Sequence, residues 1–336
     1  MTDPSARIMP PAGARAAAPE RPERIYDAPD PRDGRVYVMS GDIDLAVRVT
    51  LATGRPLLLR GDPGTGKSSL AAYIARQRGW RYYEHVVTSR TQARDLLWTF
   101  DSVRRLADAQ VRGSGTELSN YDYVEPGVLW WVLAHDSACR RGAPDGVKLA
   151  SDAVEPDANT NAKRSKDHAV VLIDEIDKAD PDMPNGLLVP LGSNEFIVSE
   201  TGTVIGPGRI GRAGSGGRRI VIITTNEERA LPQAFLRRCV VLWLEHPGKD
   251  RLVEIAQAHL ETYEGAYTQA DKSLADSLAT ELISLRTTAT QQALRAPSTA
   301  EFLDALRACR SLGISVGSDD WERLRDLTLI KPQQPG

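Results

Sequence analysis

The sequence predicts an α/β fold: a parallel sheet covered by helices on both faces, followed by a smaller all-helical domain. Three observations carry this. First, short bounded apolar runs recur as "LLLR" from Leu57, "AVVLID" from Ala169 and "RIVIITTN" from Arg219, with "CVVLWLE" from Cys239 as a further candidate strand. Runs of this kind between helical stretches are typical of strands buried on both faces. Second, a glycine-rich turn joins the first run to a helical pattern. Third, after about His246 the periodicity is helical only.

Taken in order, residues 1 to about 35 are rich in Pro, Ala, Arg and Asp without periodicity, and read as a disordered leader. The ordered α/β domain is expected over 36–245. Leu57, Leu58 and Leu59 form its first strand, and "GDPGTGKS" follows (Gly61, Pro63, Gly64, Thr65, Gly66, Lys67, Ser68). Leu70, Ala71, Ile74 and Ala75 then recur at helical spacing until Gly79 ends the helix.

The turn fits G-x-x-x-x-G-K-S, a pattern with a physical purpose. Its glycines let successive N–H groups curl into a nest, and the helix start, Ser69 included, adds unpaired N–H groups and the positive end of the dipole. Such a cradle suits the polyphosphate of a nucleotide. Lys67 is placed to reach the β- and γ-phosphates and the Ser68 hydroxyl to coordinate Mg²⁺.

The "GVLWWVLAHDSA" run precedes a polar stretch, Arg140 to Asp167, that reads as a structureless surface insertion. Two tryptophans in that apolar helix, Trp130 and Trp131, are expected in the core. The next strand ends in Asp174-Glu175, setting two carboxylates at the carboxyl edge of the sheet, where ligands of open α/β sheets bind. Asp174 is expected to complete the metal shell, and Glu175 to polarise a water for attack on the γ-phosphate.

"GPGRIGRAGSGG", over 206–217, satisfies G-x-G-x-x-G, yet no helix follows and no acidic residue is suitably spaced. A flexible hairpin tip is the expectation there, not a dinucleotide turn. The third strand ends at Asn226, placed to bond the attacking water or the γ-phosphate. "ALPQAFLRRC" then sets Arg237 and Arg238 just before a strand, a position suited to an arginine finger serving either its own site or a neighbour's.

The helical domain, 246–336, has a stripe of Leu274, Leu278, Leu282 and Leu285. It also has a Ser298/Glu301 capping box on a helix ending at Gly313, and Ser318 as a further N-cap.

The chain has 336 residues, a net charge of −3 and a pI near 6.0. Bulk charge therefore indicates neither nucleic acid nor anionic membrane as a partner. Cys139, Cys239 and Cys309 are too few and too far apart for a disulfide framework or a metal knuckle. No run approaches membrane-spanning length and no signal-peptide core is present, so a reducing, cytoplasmic setting is the expectation.

In this order the parts resemble the AAA+ ATPases of the P-loop NTPase superfamily. "GDPGTGKS" is similar to Walker A, "VVLIDEID" to Walker B, "TTN" to sensor 1 and "LRRC" to the arginine-finger segment, with a helical lid after them. "YVEPGVLWWVLA" and "LGSNEFIVSETGTVI" resemble the Pro-Gly segment after the helix 2 insert and the pre-sensor 1 hairpin of the MoxR-type branch. The resemblance implies a homo-oligomeric ring, usually a hexamer, whose finger acts in trans; lying just before the strand, Arg238 is favoured over Arg237. It further implies remodelling of a protein client or adaptor, often a von Willebrand A-type partner. One departure concerns sensor 2: Ala300 and Glu301 stand where its arginine is expected, leaving Arg295, before the proline, as the substitute. A McrB-like DNA-directed motor and a nucleotide-gated switch with little turnover are the competing readings.

Overall fold

The computed structural model describes residues 32–112, 118–206, 218–292 and 294–330. Most of the expected leader and hairpin tip, 1–31 and 207–217, lies outside them. The elements run α1 (Gly41–Thr53), β1 (Leu57–Arg60), α2 (Lys67–Arg78), β2 (Trp80–Val86), β3 (Trp98–Phe100), α3 (Ser102–Arg112) and β4 (Val124–Pro126). Then follow α4 (Val128–Leu133), α5 (His135–Cys139), α6 (Ala158–Asn161), β5 (Ser165–Asp174), α7 (Met183–Gly186) and α8 (Leu188–Ser193). The hairpin β6 (Phe196–Val198) and β7 (Thr203–Ile205) precedes β8 (Arg219–Thr225), α9 (Gln233–Leu236) and β9 (Val240–Trp243). Helices α10 (Lys249–Tyr263), α11 (Gln269–Gln291), α12 (Thr299–Leu312) and α13 (Asp319–Thr328) complete the elements of the described residues.

The main sheet has the order β2-β5-β8-β1-β9 and every pairing in it is parallel. Register divides its side chains between two faces. Leu57 and Leu59, with Leu172, Ile220 and Ile222, pack under α1 and α2, while Leu58, Val171, Ile173 and Ile223 face α4. Trp130 and Trp131 of α4 are buried in that second layer, as expected. With Leu57, Leu58 and Leu59 fully buried, each contributes about 1.5–3 kcal/mol.

The four C-terminal helices enclose a third core built on Leu252, Leu278, Leu282, Phe302 and Leu306. Their starts are set locally. Ser298 and Glu301 form the expected capping box on α12, Thr268 and Asp271 form another on α11, and Ser318 caps α13.

Three features differ from the sequence reading. Strand β2, "WRYYEHV", follows directly on Gly79, so no loop or apolar run announces it. The antiparallel pair β3–β4 is made of three-residue strands that periodicity does not resolve. The stretch 140–167 contains α6 and the first residues of β5, and it is anchored. Asn161, fully buried, accepts from Tyr82 N at 3.0 Å and donates to Tyr82 O at 3.1 Å. Tyr83 donates to Glu155 at 2.7 Å, and Arg141 donates to Val124 O at 2.6 Å. A polar composition reads as solvated surface; here it satisfies the free side of an edge strand.

Candidate functional site

Where β1 gives way to α2, the chain turns on residues that tolerate positive φ. Gly61 has φ +137°, and a Cβ there would meet Leu244 O at 2.3 Å. Gly64, at φ +77°, has Ser298 of the lid where its Cβ would stand, and Thr299 N donates to Gly64 O at 3.3 Å. Thr65 closes the turn by donating to Asp62 O at 3.0 Å. Pro63 is exposed at its tip; Gly66 caps α2, and Ser69 lies in the first turn of that helix.

The Lys67 ammonium is tethered over this turn, donating to Gly61 O at 2.7 Å and Asp62 O at 2.8 Å. Burial pulls its proton affinity below the usual lysine range, opposed by Asp174, Asp62, Asp177 and Glu175.

Asp174, at the end of β5, is buried. Its Oδ1 accepts from Ser68 Oγ at 2.7 Å and Thr224 Oγ1 at 2.6 Å, and its Oδ2 from Arg32 Nη1 at 3.1 Å. The same Arg32 nitrogen pairs with Glu84 of β2. Glu175 adopts the left-handed conformation at φ +60°, and its N–H donates to Thr224 Oγ1 at 2.9 Å. This turn aims the carboxylate away from Asp174. Its Oε1 accepts from Asn226 Nδ2 at 3.3 Å and its Oε2 from Lys178 Nζ at 2.6 Å. Asn226 is itself positioned by Asp177, whose carboxylate accepts from the N–H groups of Asn226 at 3.4 Å and Glu228 at 2.9 Å.

Five expected residues thus meet at one sheet edge: Lys67, Ser68, Asp174, Glu175 and Asn226. Arg237 and Arg238 do not join them. Both are exposed, with no carboxylate partner among the described residues. They precede β9, whose Val240 is in register with Leu57 at the start of β1. The arginines therefore sit at the amino edge of the sheet, a four-residue strand, about 13 Å, from the end that carries the glycine turn. Arg295 is ion-paired with Glu301 at 3.1 Å, the carboxylate that also caps α12.

Sequence reasoning missed Thr224, Asp177, Lys178 and Arg32. The first three lie within or beside motifs it had singled out, "TTN" and "VVLIDEID". Arg32 falls within the stretch read as leader, where nothing in the composition marks it.

The family model described as AAA domain (dynein-related subfamily) matches residues 56–239, more than half of the chain. No curated protein matches it. A solved structure, of a protein from Cytophaga hutchinsonii provisionally described as an ATPase, is similar over 89% of this chain and 83% of that one. The identity is 14% and the TM-score 0.40. The matched span starts one residue before β1 and ends one before β9, so it takes in the glycine turn, the paired carboxylates, Asn226 and both arginines. Family and geometry coincide: the chain belongs to the AAA domains of the dynein-related subfamily, within the AAA+ P-loop NTPases.

Proposed function

We propose that this chain is an ATP-hydrolysing AAA+ ring protein, related to the MoxR type, that remodels or activates a partner protein. The observation that carries the reading is the linked set Ser68–Asp174–Thr224–Glu175–Asn226 beside Lys67, all at the carboxyl edge of the sheet. The donor set fits magnesium: a hydroxyl and a carboxylate oxygen already 2.7 Å apart are hard ligands of the kind it prefers. Ser68 and Asp174 would hold the ion, and bound there it neutralises charge on the β- and γ-phosphates. The N–H groups of the turn and of α2 bind the phosphates, and Lys67 adds a cation at the γ-phosphate side. Asn226 orients the attacking water. Glu175 accepts its proton as the oxygen bonds to phosphorus, and ADP departs with the electrons of the broken P–O bond.

The exposed arginines at the opposite edge support a finger supplied to the neighbouring subunit, Arg238 being favoured. The two small antiparallel pairs, β3–β4 and β6–β7, support the MoxR-like reading and are the expected contact points for a protein client or adaptor, a von Willebrand A-type partner among them.

The test is ATP turnover per subunit against protein concentration, with mass measured with and without nucleotide, for wild type and Arg238→Ala. Turnover that rises steeply with assembly, and collapses in the variant while ATP binding persists, supports the ring. Negligible turnover at every concentration despite tight binding refutes it and favours the nucleotide-gated switch.

A further inference from the structure

Six cations come from three distant stretches of sequence: Arg76 and Arg78; Lys163, Arg164 and Lys166; and Arg218. The fold gathers them. Helix α2 ends on Arg76 and Arg78 just before β2, and Ser165 N donates to Gly79 O at 2.9 Å, which lays the second group beside the first. Between the pairs Trp80↔Ser165 and Arg81↔Ala169 the register shifts, so Lys166, Asp167 and His168 bulge from the start of β5. Ala169 N donates to Arg218 O at 3.2 Å, adding the cation that precedes β8. The six thus span three neighbouring strands, about 10 Å, at the amino edge of the sheet, opposite the edge that carries the phosphate turn.

Five of them are exposed and Arg164 is half-buried. Arg164 Nη1 donates to Trp80 O at 3.1 Å, and burial, then Arg76, hold its guanidinium below the usual arginine range, against Asp157 and Tyr82. None of the six has an ion pair among the described residues, although Asp167 stands exposed in the same bulge. Elsewhere exposed arginines find carboxylates, as Arg48 does Asp44, Arg94 Glu200 and Arg323 Asp320. Arg76 and Arg78 suit the negative end of the α2 dipole, but that local role does not account for Lys163, Lys166 or Arg218. Like charges left together repel, and a phosphate polyanion relieves the repulsion. Four of the six are arginines, whose planar forks match phosphate oxygens. Among the described residues no exposed aromatic ring accompanies them for bases to stack on, since Trp80 is buried between Arg78 and His168. Nor does an exposed large apolar side chain stand there to anchor a lipid surface.

We infer that this edge binds the phosphate backbone of a nucleic-acid duplex, without regard to sequence and separately from the nucleotide site. The net charge of −3 does not oppose it, because a phosphate senses charges within a screening length of about 8–10 Å and not the sum over the chain.

The experiment follows the anisotropy of a fluorescein-labelled DNA duplex of about 20 base pairs as the full chain is added, without ATP, at about 50–200 mM NaCl. With four or five phosphates engaged, log K should fall against log salt with a slope of about −3.6 to −4.5, a loss of about 150- to 500-fold over that range. Arg76→Ser/Lys163→Ser/Lys166→Ser should flatten the slope by about 2.7 and weaken binding at low salt at least about tenfold. Arg48→Ser/Arg90→Ser/Arg323→Ser, equal in net charge, should leave both unchanged. Lys166→Glu/Arg218→Glu is the second patch variant, deciding the matter if the first does not fold. Absent duplex binding, binding that survives in the patch variants, or equal weakening in the control overturns the site. Displacement by poly-glutamate as effective, per charge, as by unlabelled duplex, or tighter binding to phosphatidylserine vesicles, overturns the nucleic-acid reading in favour of an acidic protein segment or a membrane. ATP turnover enters none of these outcomes, so failure of the ATPase reading and failure of this one are separate.

Discussion

Replacing Gly64 by alanine tests whether the lid rests on the phosphate turn as described. Two costs add. Alanine at φ +77° pays the left-handed penalty of about 1–2 kcal/mol. Its Cβ would also lie 2.3 Å from Ser298 Cβ and 2.9 Å from Ser298 Oγ, against an ordinary carbon separation of about 3.5 Å. The start of α12 must then retreat by about 1 Å, which breaks the Thr299 N to Gly64 O bond, a loss of about 1 kcal/mol. Together the substitution should cost about 2–3 kcal/mol. At about 2–4 °C per kcal/mol, the nucleotide-free protein should melt about 4–12 °C lower. Ser298→Gly removes the colliding atoms at a cap cost of a few tenths of a kcal/mol. In that background Gly64→Ala should cost only the backbone penalty, giving a coupling of about 1 kcal/mol in a double-mutant cycle. Equal costs with and without Ser298→Gly, or no cost at all, would refute a lid seated on Gly64.

Two further outcomes follow from buried groups of the lid. Arg286 donates to Pro297 O at 2.8 Å, Pro247 O at 2.9 Å and Thr299 Oγ1 at 3.5 Å, and burial lowers its guanidinium to about 10, so it stays charged at neutral pH. Arg286→Met strands two buried carbonyls at about 1–3 kcal/mol each, and Arg286→Lys, lacking the planar fork, should not recover the loss in urea unfolding. His259 is pulled down to about 4, chiefly by burial and then by Arg307, with Asp33 opposing. At pH 7 the ring is neutral folded or unfolded and contributes nothing. Below about 6.5 the unfolded chain takes up a proton that the folded chain refuses, so stability falls as pH falls, by up to about 2 kcal/mol at pH 5. The drop in unfolding free energy between pH 7 and pH 5, read from urea titrations, should shrink by that amount in His259→Gln.

The sequence made the strands around the candidate site legible because each is an apolar run that leads into a candidate residue or turn: Leu57–Arg60 before the glycine turn, Ser165–Asp174 before Glu175, Arg219–Thr225 before Asn226. The capping boxes were equally readable, since each is a local contact between residues three apart. Part of what remained hidden depends on contacts distant in sequence. Thr224 looks like any strand threonine until Asp174, fifty residues away, is laid beside it. Lys178 reads as one more charge in an acidic turn, because spacing does not report which way a carboxylate points. Strand β2 has half-buried polar positions and so matches neither a buried run nor a clean alternation.

The buried amide of Asn161 gives the sheet a definite end. With its oxygen and nitrogen on Tyr82 N and Tyr82 O, it imitates the peptide group that a further strand would present. The chain thus carries its own plug against strand recruitment. Trimming 140–161 as a dispensable loop would expose a hydrogen-bonding border to other molecules, and self-association through that border would precede any loss of chemistry at the opposite end of the fold's logic, the phosphate turn.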